Sequence, residues 1–173
     1  MSGSLIKIDE EIVTSAVASV TLGGSNWDSS YDVYMVTFNN FTPSVDAQQA
    51  RIRFTVSGTP DTTFNYDYAF KDLRADTTFG NVSATNVDYG ILDALGTGTS
   101  ESGNGIMYLF NFNNASEYSF ITNENTFYTA TPIARGRTGG QVLTVAQATD
   151  GIQFYMASGN IASGTFTLYG LKK

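Results

Sequence analysis

Residues 50–56 read ARIRFTV. In an extended chain successive side chains point to opposite faces, so Ile52, Phe54 and Val56 share one side and Arg51, Arg53 and Thr55 the other. That alternation marks a β-strand with one face in a core, and Ser57-Gly58-Thr59-Pro60 ends it. Residues 64–70, FNYDYAF, repeat the pattern with Phe64, Tyr66, Tyr68 and Phe70 opposite Asn65, Asp67 and Ala69. Aromatic side chains stacked on one strand face carry a large apolar payload.

Working outward, Tyr31–Phe38 sets Val33 and Met35 against Tyr34, Val36 and Phe38. With both faces apolar, this strand is expected to be central, or covered on one side by a neighbouring subunit. Leu5–Ile8 forms a first run and Glu11–Leu22 (EIVTSAVASVTL) a second. Ala16 and Ala18 blur the alternation of the second, which suits an edge strand or a subunit contact, with a helix as the alternative. A turn cluster spans Gly23–Ser30. Downstream, 71–104 is the least regular third, with a short element at Val87–Leu95 and a loop, GTGTSESGNG, at 96–105. Strands are predicted at 106–112 (IMYLFNF), Glu117–Thr122 and Phe127–Ile133, where Pro132 demotes the end of the run to an edge. RGRTGG at 135–140 reads as a loop, and Val142–Val145 is short and apolar. Ile152–Met156 and 165–171 are separated by a turn at 157–160. The sum is an all-β chain of about eight strands: one antiparallel β-sandwich domain of jelly-roll type over 1–173, with a short N-terminal arm.

A chain of 173 residues buries roughly two thirds of its unfolded surface without metal or disulfide. It has no cysteine and no histidine, which excludes thiol nucleophiles, cysteine or histidine metal sites and a Ser-His-Asp triad. A net charge of −7, with bases clustered no further than pairs, argues against nucleic acid as a partner. The opening MSGSLIKIDEEIV lacks the pattern of a secretory signal, and no window approaches a membrane span.

Candidate chemistry is thin. Asp9, Glu10 and Glu11 read as a solvated turn. Asp61, Asp67, Asp72 and Asp76 recur in one region and offer oxygen ligands for calcium, although EF-hand spacing is absent. No carboxylate pair stands out for glycoside hydrolysis, and the paired glycines lack the context of a phosphate loop. NFT at 40–42, NVS at 81–83 and NAS at 114–116 match the glycosylation pattern without a secretory signal. Trp27, alone in a turn-rich stretch, with Tyr31, Arg135 and Arg137, are the candidate partner or ligand contacts. No catalytic, cofactor-binding or metal-binding residue is assigned.

ATDGIQFYMASGNIASGTFTLYGLKK at 148–173 resembles the ends of small jelly-roll virion proteins of marine and cyanobacterial tailed bacteriophages. The opening at 5–40, LIKIDEEIVTSAVASVTLGGSNWDSSYDVYMVTFNN, and SGNGIMYLFNFNNASEYSF at 102–120 are similar to the same family, whereas 57–100 matches only in character. The resemblance implies a non-enzymatic structural protein without cofactor. It further implies a homotrimer and, as leading role, a capsid cement or decoration protein on the outer surface of the virion, bound to the major capsid protein. The alternatives are the receptor-binding head of a tail fibre, or a lectin-like carbohydrate-binding module. A fibre protein usually needs an N-terminal shaft, and few residues precede the first strand, which favours cement. The residues themselves give the trimer a physical reason, the excess apolar strand surface at 12–22 and 31–38.

Overall fold

The computed structural model describes residues 4–27, 30–131 and 133–171. Among them the strands are β1 (Leu5–Val13), β2 (Ser19–Gly23), β3 (Val33–Pro43), β4 (Gln48–Val56), β5 (Thr59–Pro60), β6 (Tyr66–Arg74), β7 (Gly80–Val87), β8 (Gly90–Leu95), β9 (Gly103–Phe110), β10 (Ser119–Tyr128), β11 (Ala134–Leu143), β12 (Gly151–Met156) and β13 (Ile161–Leu171). Among the described residues the only helix is one short 3-10 turn at Gly24–Asn26. An eight-stranded sheet runs β1-β13-β3-β9-β10-β11-β6-β7, and a five-stranded one runs β2-β12-β4-β5, with β8 also paired to β4. Every strand pair is antiparallel.

The two sheets share one core, which makes the architecture an all-β sandwich. The short sheet contributes Val20, Leu22, Ile52, Phe54, Ile152 and Phe154; the long one contributes Tyr34, Val36, Phe38, Met107, Leu109, Phe166 and Leu168. Phe154 sits at the join, its ring 4.9 Å from Phe166, 6.2 Å from Phe38 and 6.5 Å from Phe41. The strand at 50–56 follows its alternation as far as Phe54, with Ile52 and Phe54 fully buried; beyond it Thr55 is buried, its hydroxyl donating to Asp150, and Val56 is only half-buried. Tyr31–Phe38 also holds, since β3 lies between β13 and β9. The apolar residues of its inner face serve this chain's own core, so they are not the spare surface that the trimer argument assumed.

Several sequence expectations are corrected, first the count of about eight strands: the described residues form thirteen. EIVTSAVASVTL is neither one strand nor a helix: β1 ends at Val13, Val17 makes an isolated bridge to Ile161, and β2 begins at Ser19. Phe64 lies outside β6 and is 69 % exposed, because Asp61 accepts hydrogen bonds from the Thr63 N–H and hydroxyl and holds the chain in a turn there. The run at 127–133 splits: Phe127 and Tyr128 finish β10, and a bond from the Thr129 N–H to the Ile133 carbonyl (3.2 Å) turns the chain. The expectation about Pro132 lies outside the described residues, as do residues 1–3 of the expected short N-terminal arm. RGRTGG is strand β11, not a loop, and 71–104 holds β7, β8 and the end of β6.

Candidate functional site: the outer face of the long sheet

The register of the long sheet aligns its outward side chains in rows. One row runs Tyr169, Met35, Tyr108, Thr122, Gly140, Ala69 across β13, β3, β9, β10, β11 and β6. The next runs Thr167, Thr37, Ile106, Glu124, Thr138, Lys71. A third pairs Thr165 with Asn39, and Asn104 with Thr126 and Gly136. On the opposite flank Val33, Phe110, Phe120 and Val142 align. Gly140 on β11 and Ala69 on β6 therefore form a low floor beside the taller side chains of β9 and β10.

Hollows follow from that relief. One, about 660 Å3, is lined by Thr37, Asn39, Asn104, Ile106, Glu124, Thr126 and Tyr169. A second of about 400 Å3 shares Ile106 and Glu124 and adds Tyr108, Thr122 and Thr138. A third of about 300 Å3 shares Thr122 and adds Asp67, Ala69, Phe120, Gly140 and Val142. Shared residues join them into one trough with a polar end at Asn39 and Asn104 and an apolar end at Phe120 and Val142. Tyr108 (37 % exposed), Phe120 and the nearby Tyr118 (both 44 %) stand out at the apolar end.

A β-bulge shapes the polar end. The pairing of β3 with β9 slips between Phe38 and Phe41, and Asn40 takes a left-handed backbone (φ 51). Its N–H donates to the Asn104 Oδ1 at 2.9 Å. Because that donor requires an oxygen, the Asn104 amide is fixed in one orientation, and its NH2 is the group left to the groove.

Beneath the same sheet lies a buried polar cluster. Arg137 on β11 donates to the Leu92 carbonyl (2.6 Å) and sits 3.0 Å from the Asp93 carboxylate, with both side chains 4 % exposed. Arg135 pairs with Asp72. The Asn125 amide donates to the Leu92 carbonyl (3.4 Å), and the Gln141 Oε1 accepts the Ile91 N–H (2.8 Å). These bonds tie β8 against β10 and β11. Burial pushes the Asp93 carboxyl up to about 6 against the opposing pull of Arg137. The same burial lowers the Arg137 guanidinium against the pull of Asp93 and Asp72. This cluster explains β11: ahead of the buried Leu143 its inward residues are Arg135, Arg137, Gly139 and Gln141, set among acids and amides, so no apolar alternation marks it.

Trp27, Tyr31, Arg135 and Arg137 are not brought together. Trp27 is 5 % exposed, stacked on Tyr34 at 4.2 Å and near Phe112 at 5.0 Å. Tyr31 is half-buried, edge-on to Tyr34 at 5.7 Å. The arginines belong to the buried cluster, although Arg135 also borders a hollow of about 240 Å3 with Phe79 and Thr126. The four aspartates proposed for calcium have separate partners. Asp61 accepts from Thr63 and Gln147, Asp67 from the Asn86 N–H, Asp72 pairs with Arg135 and Asp76 with Arg74. Among the described residues no three acidic side chains converge as a metal site. The acid run is not a turn: Asp9, Glu10 and Glu11 lie within β1, paired to β13, where Asp9 accepts from the Gly23 N–H and Glu10 pairs with Lys7. What the sequence left unseen was the trough, whose nearest signal was the alternation of 106–112. No family model, curated protein or solved structure matches the chain.

Proposed function

We propose that the chain is a non-enzymatic virion structural protein of jelly-roll type, a capsid cement protein that docks on the outside of the major capsid shell as a homotrimer. The fold part of this reading is supported by strand order. The rows β1-β13-β3-β9 and β2-β12-β4-β8 follow the two four-stranded sheets of a jelly roll, and β1 to β2, β3 to β4, β8 to β9 and β12 to β13 each cross between sheets. On this reading β5, β6 and β7 are an insertion before β8, and β10 and β11 are a second insertion that pairs with the first.

The docking part rests on one observation, the apolar end of the outer face. Tyr108, Tyr118 and Phe120 stay exposed on or beside strands whose edges are fully paired, and contiguous exposed apolar surface marks a protein contact. The virion setting is supported by the resemblance of the segments at 5–40, 102–120 and 148–173. Cement proteins act through many repeated modest contacts, so the shell gains stability by mass action and multivalency.

The test is copy number in purified particles that carry the chain, by quantitative mass spectrometry and image reconstruction. Hundreds of copies over the shell are expected. A few copies confined to the tail vertex would replace this reading with a receptor-binding tip. Light scattering that finds a stable monomer at micromolar concentration would remove the homotrimer.

A further inference from the structure

We infer that the polar end of the trough, between Asn39, Asn104, Glu124 and Tyr169, is a binding site for a neutral oligosaccharide chain. The inference does not depend on where in a particle the chain sits. Its first ground is the chemistry of the lining. Thr37, Asn39, Asn104, Glu124 and Thr126 present hydroxyl, amide and carboxylate groups. These donors and acceptors match the adjacent hydroxyls of a sugar ring. Ile106 and the Tyr169 ring supply apolar surface for the C–H face of that ring. No basic side chain lines this hollow, and the chain carries −7 overall, which disfavours an acidic sugar or a nucleic acid. A single carboxylate is too little for a basic peptide.

The second ground is preorganisation. The lining side chains come from β3, β9, β10 and β13, strands paired on both sides within the sheet. The bulge at Asn39 and Asn40, the left-handed Asn40 and the bond from its N–H to Asn104 fix the polar end before any ligand arrives. The third ground is size and shape. About 660 Å3 lies within the range of small-ligand pockets. The trough then continues along β10 from Thr126 to Phe120, about 20 Å at the rise of a strand, so it suits a chain of sugars rather than one ring.

The experiment is a titration of the purified full chain, followed by backbone amide resonances, with a panel of neutral hexaoses of glucose, mannose, galactose and xylose. An oligogalacturonate serves as the acidic comparison. At least one neutral hexaose should give saturable shifts at 37–39, 104–106 and 124–126 and bind more tightly than the oligogalacturonate. Glu124→Ala, at an exposed strand position, should weaken it roughly tenfold or more, the loss of one charge-assisted hydrogen bond. Asn104→Ala should do the same; because it also removes the acceptor of the Asn40 N–H, Glu124→Ala decides if that variant misfolds. The inference is overturned if no neutral hexaose moves these resonances at millimolar concentration. It is equally overturned if Glu124→Ala binds with unchanged affinity, or if the oligogalacturonate binds the groove more tightly.

Discussion

Replacing Arg137 by Met tests whether the buried cluster holds β8 in place. The substitution keeps much of the side-chain length but removes the cation 3.0 Å from Asp93 and the donor to the Leu92 carbonyl. Removing one partner of a buried ion pair costs about 3–5 kcal/mol, because the other charge stays buried without compensation. Protonating Asp93 sets a ceiling. From an ordinary value of 3.8, holding the carboxyl neutral at pH 8 costs about 6 kcal/mol, but at pH 5 less than about 2 kcal/mol. The penalty should therefore be large at pH 8 and should shrink markedly at pH 5. Urea unfolding followed by the fluorescence of Trp27, buried against Tyr34, reads this directly. Arg137→Met with Asp93→Asn should recover much of the loss at pH 8, since the stranded charge is gone. A penalty below about 1 kcal/mol at pH 8, or no recovery in the double variant, would refute the clamp.

In the parent chain the folded Asp93 carboxyl titrates near 6 and the unfolded one near 3.8, so the folded state holds the proton more tightly and this group lowers stability as pH rises from about 4 to about 6. The full effect is about 3 kcal/mol, and Asp93→Asn should flatten the stability profile over that window in urea titrations. Phe154→Ala opens a cavity where the sheets meet and should cost about 3–5 kcal/mol by the same assay. At Gly139 a Cβ would stand 2.8 Å from the Phe70 Cα, so Gly139→Ala should separate β11 from β6 and lower the thermal midpoint by several degrees, measured by circular dichroism. If the apolar end is the docking surface, Tyr108→Ser with Phe120→Ser should leave that midpoint nearly unchanged and reduce retention of the chain on particles washed in salt.

The sandwich was legible where burial is one-sided. On β4, Ile52 and Phe54 enter the core while Arg51 and Arg53 stay outside, stacked over Tyr89 and Tyr155, so alternation and structure agree. It failed where the inner face is polar or where a strand lies at an edge. β11 places Arg135, Arg137 and Gln141 inward, and β7, an outermost strand of the long sheet, has no buried apolar residue to mark it. Trp27 looked like a contact because it lies among turn residues, yet Tyr34 and Phe112 cover it. The trough was out of reach of any single stretch. Its walls are set by the register of β3, β9, β10 and β13, strands far apart along the chain, and its polar end by a bulge that no composition signal announces.

The order of the long sheet also bears on how the chain is made. β13, which follows the other strands of the long sheet along the chain, lies between β1 and β3, among the first. Until it emerges from the ribosome, β1 has no partner in the sheet and β3 presents an unpaired edge beside Tyr34, Val36 and Phe38. Pairing of such high contact order is slow, and an open apolar edge invites association with other nascent chains. β13 must therefore be made before the sheet can close. A stop anywhere before Ile161 leaves a product with an aggregation-prone slot rather than a smaller folded protein.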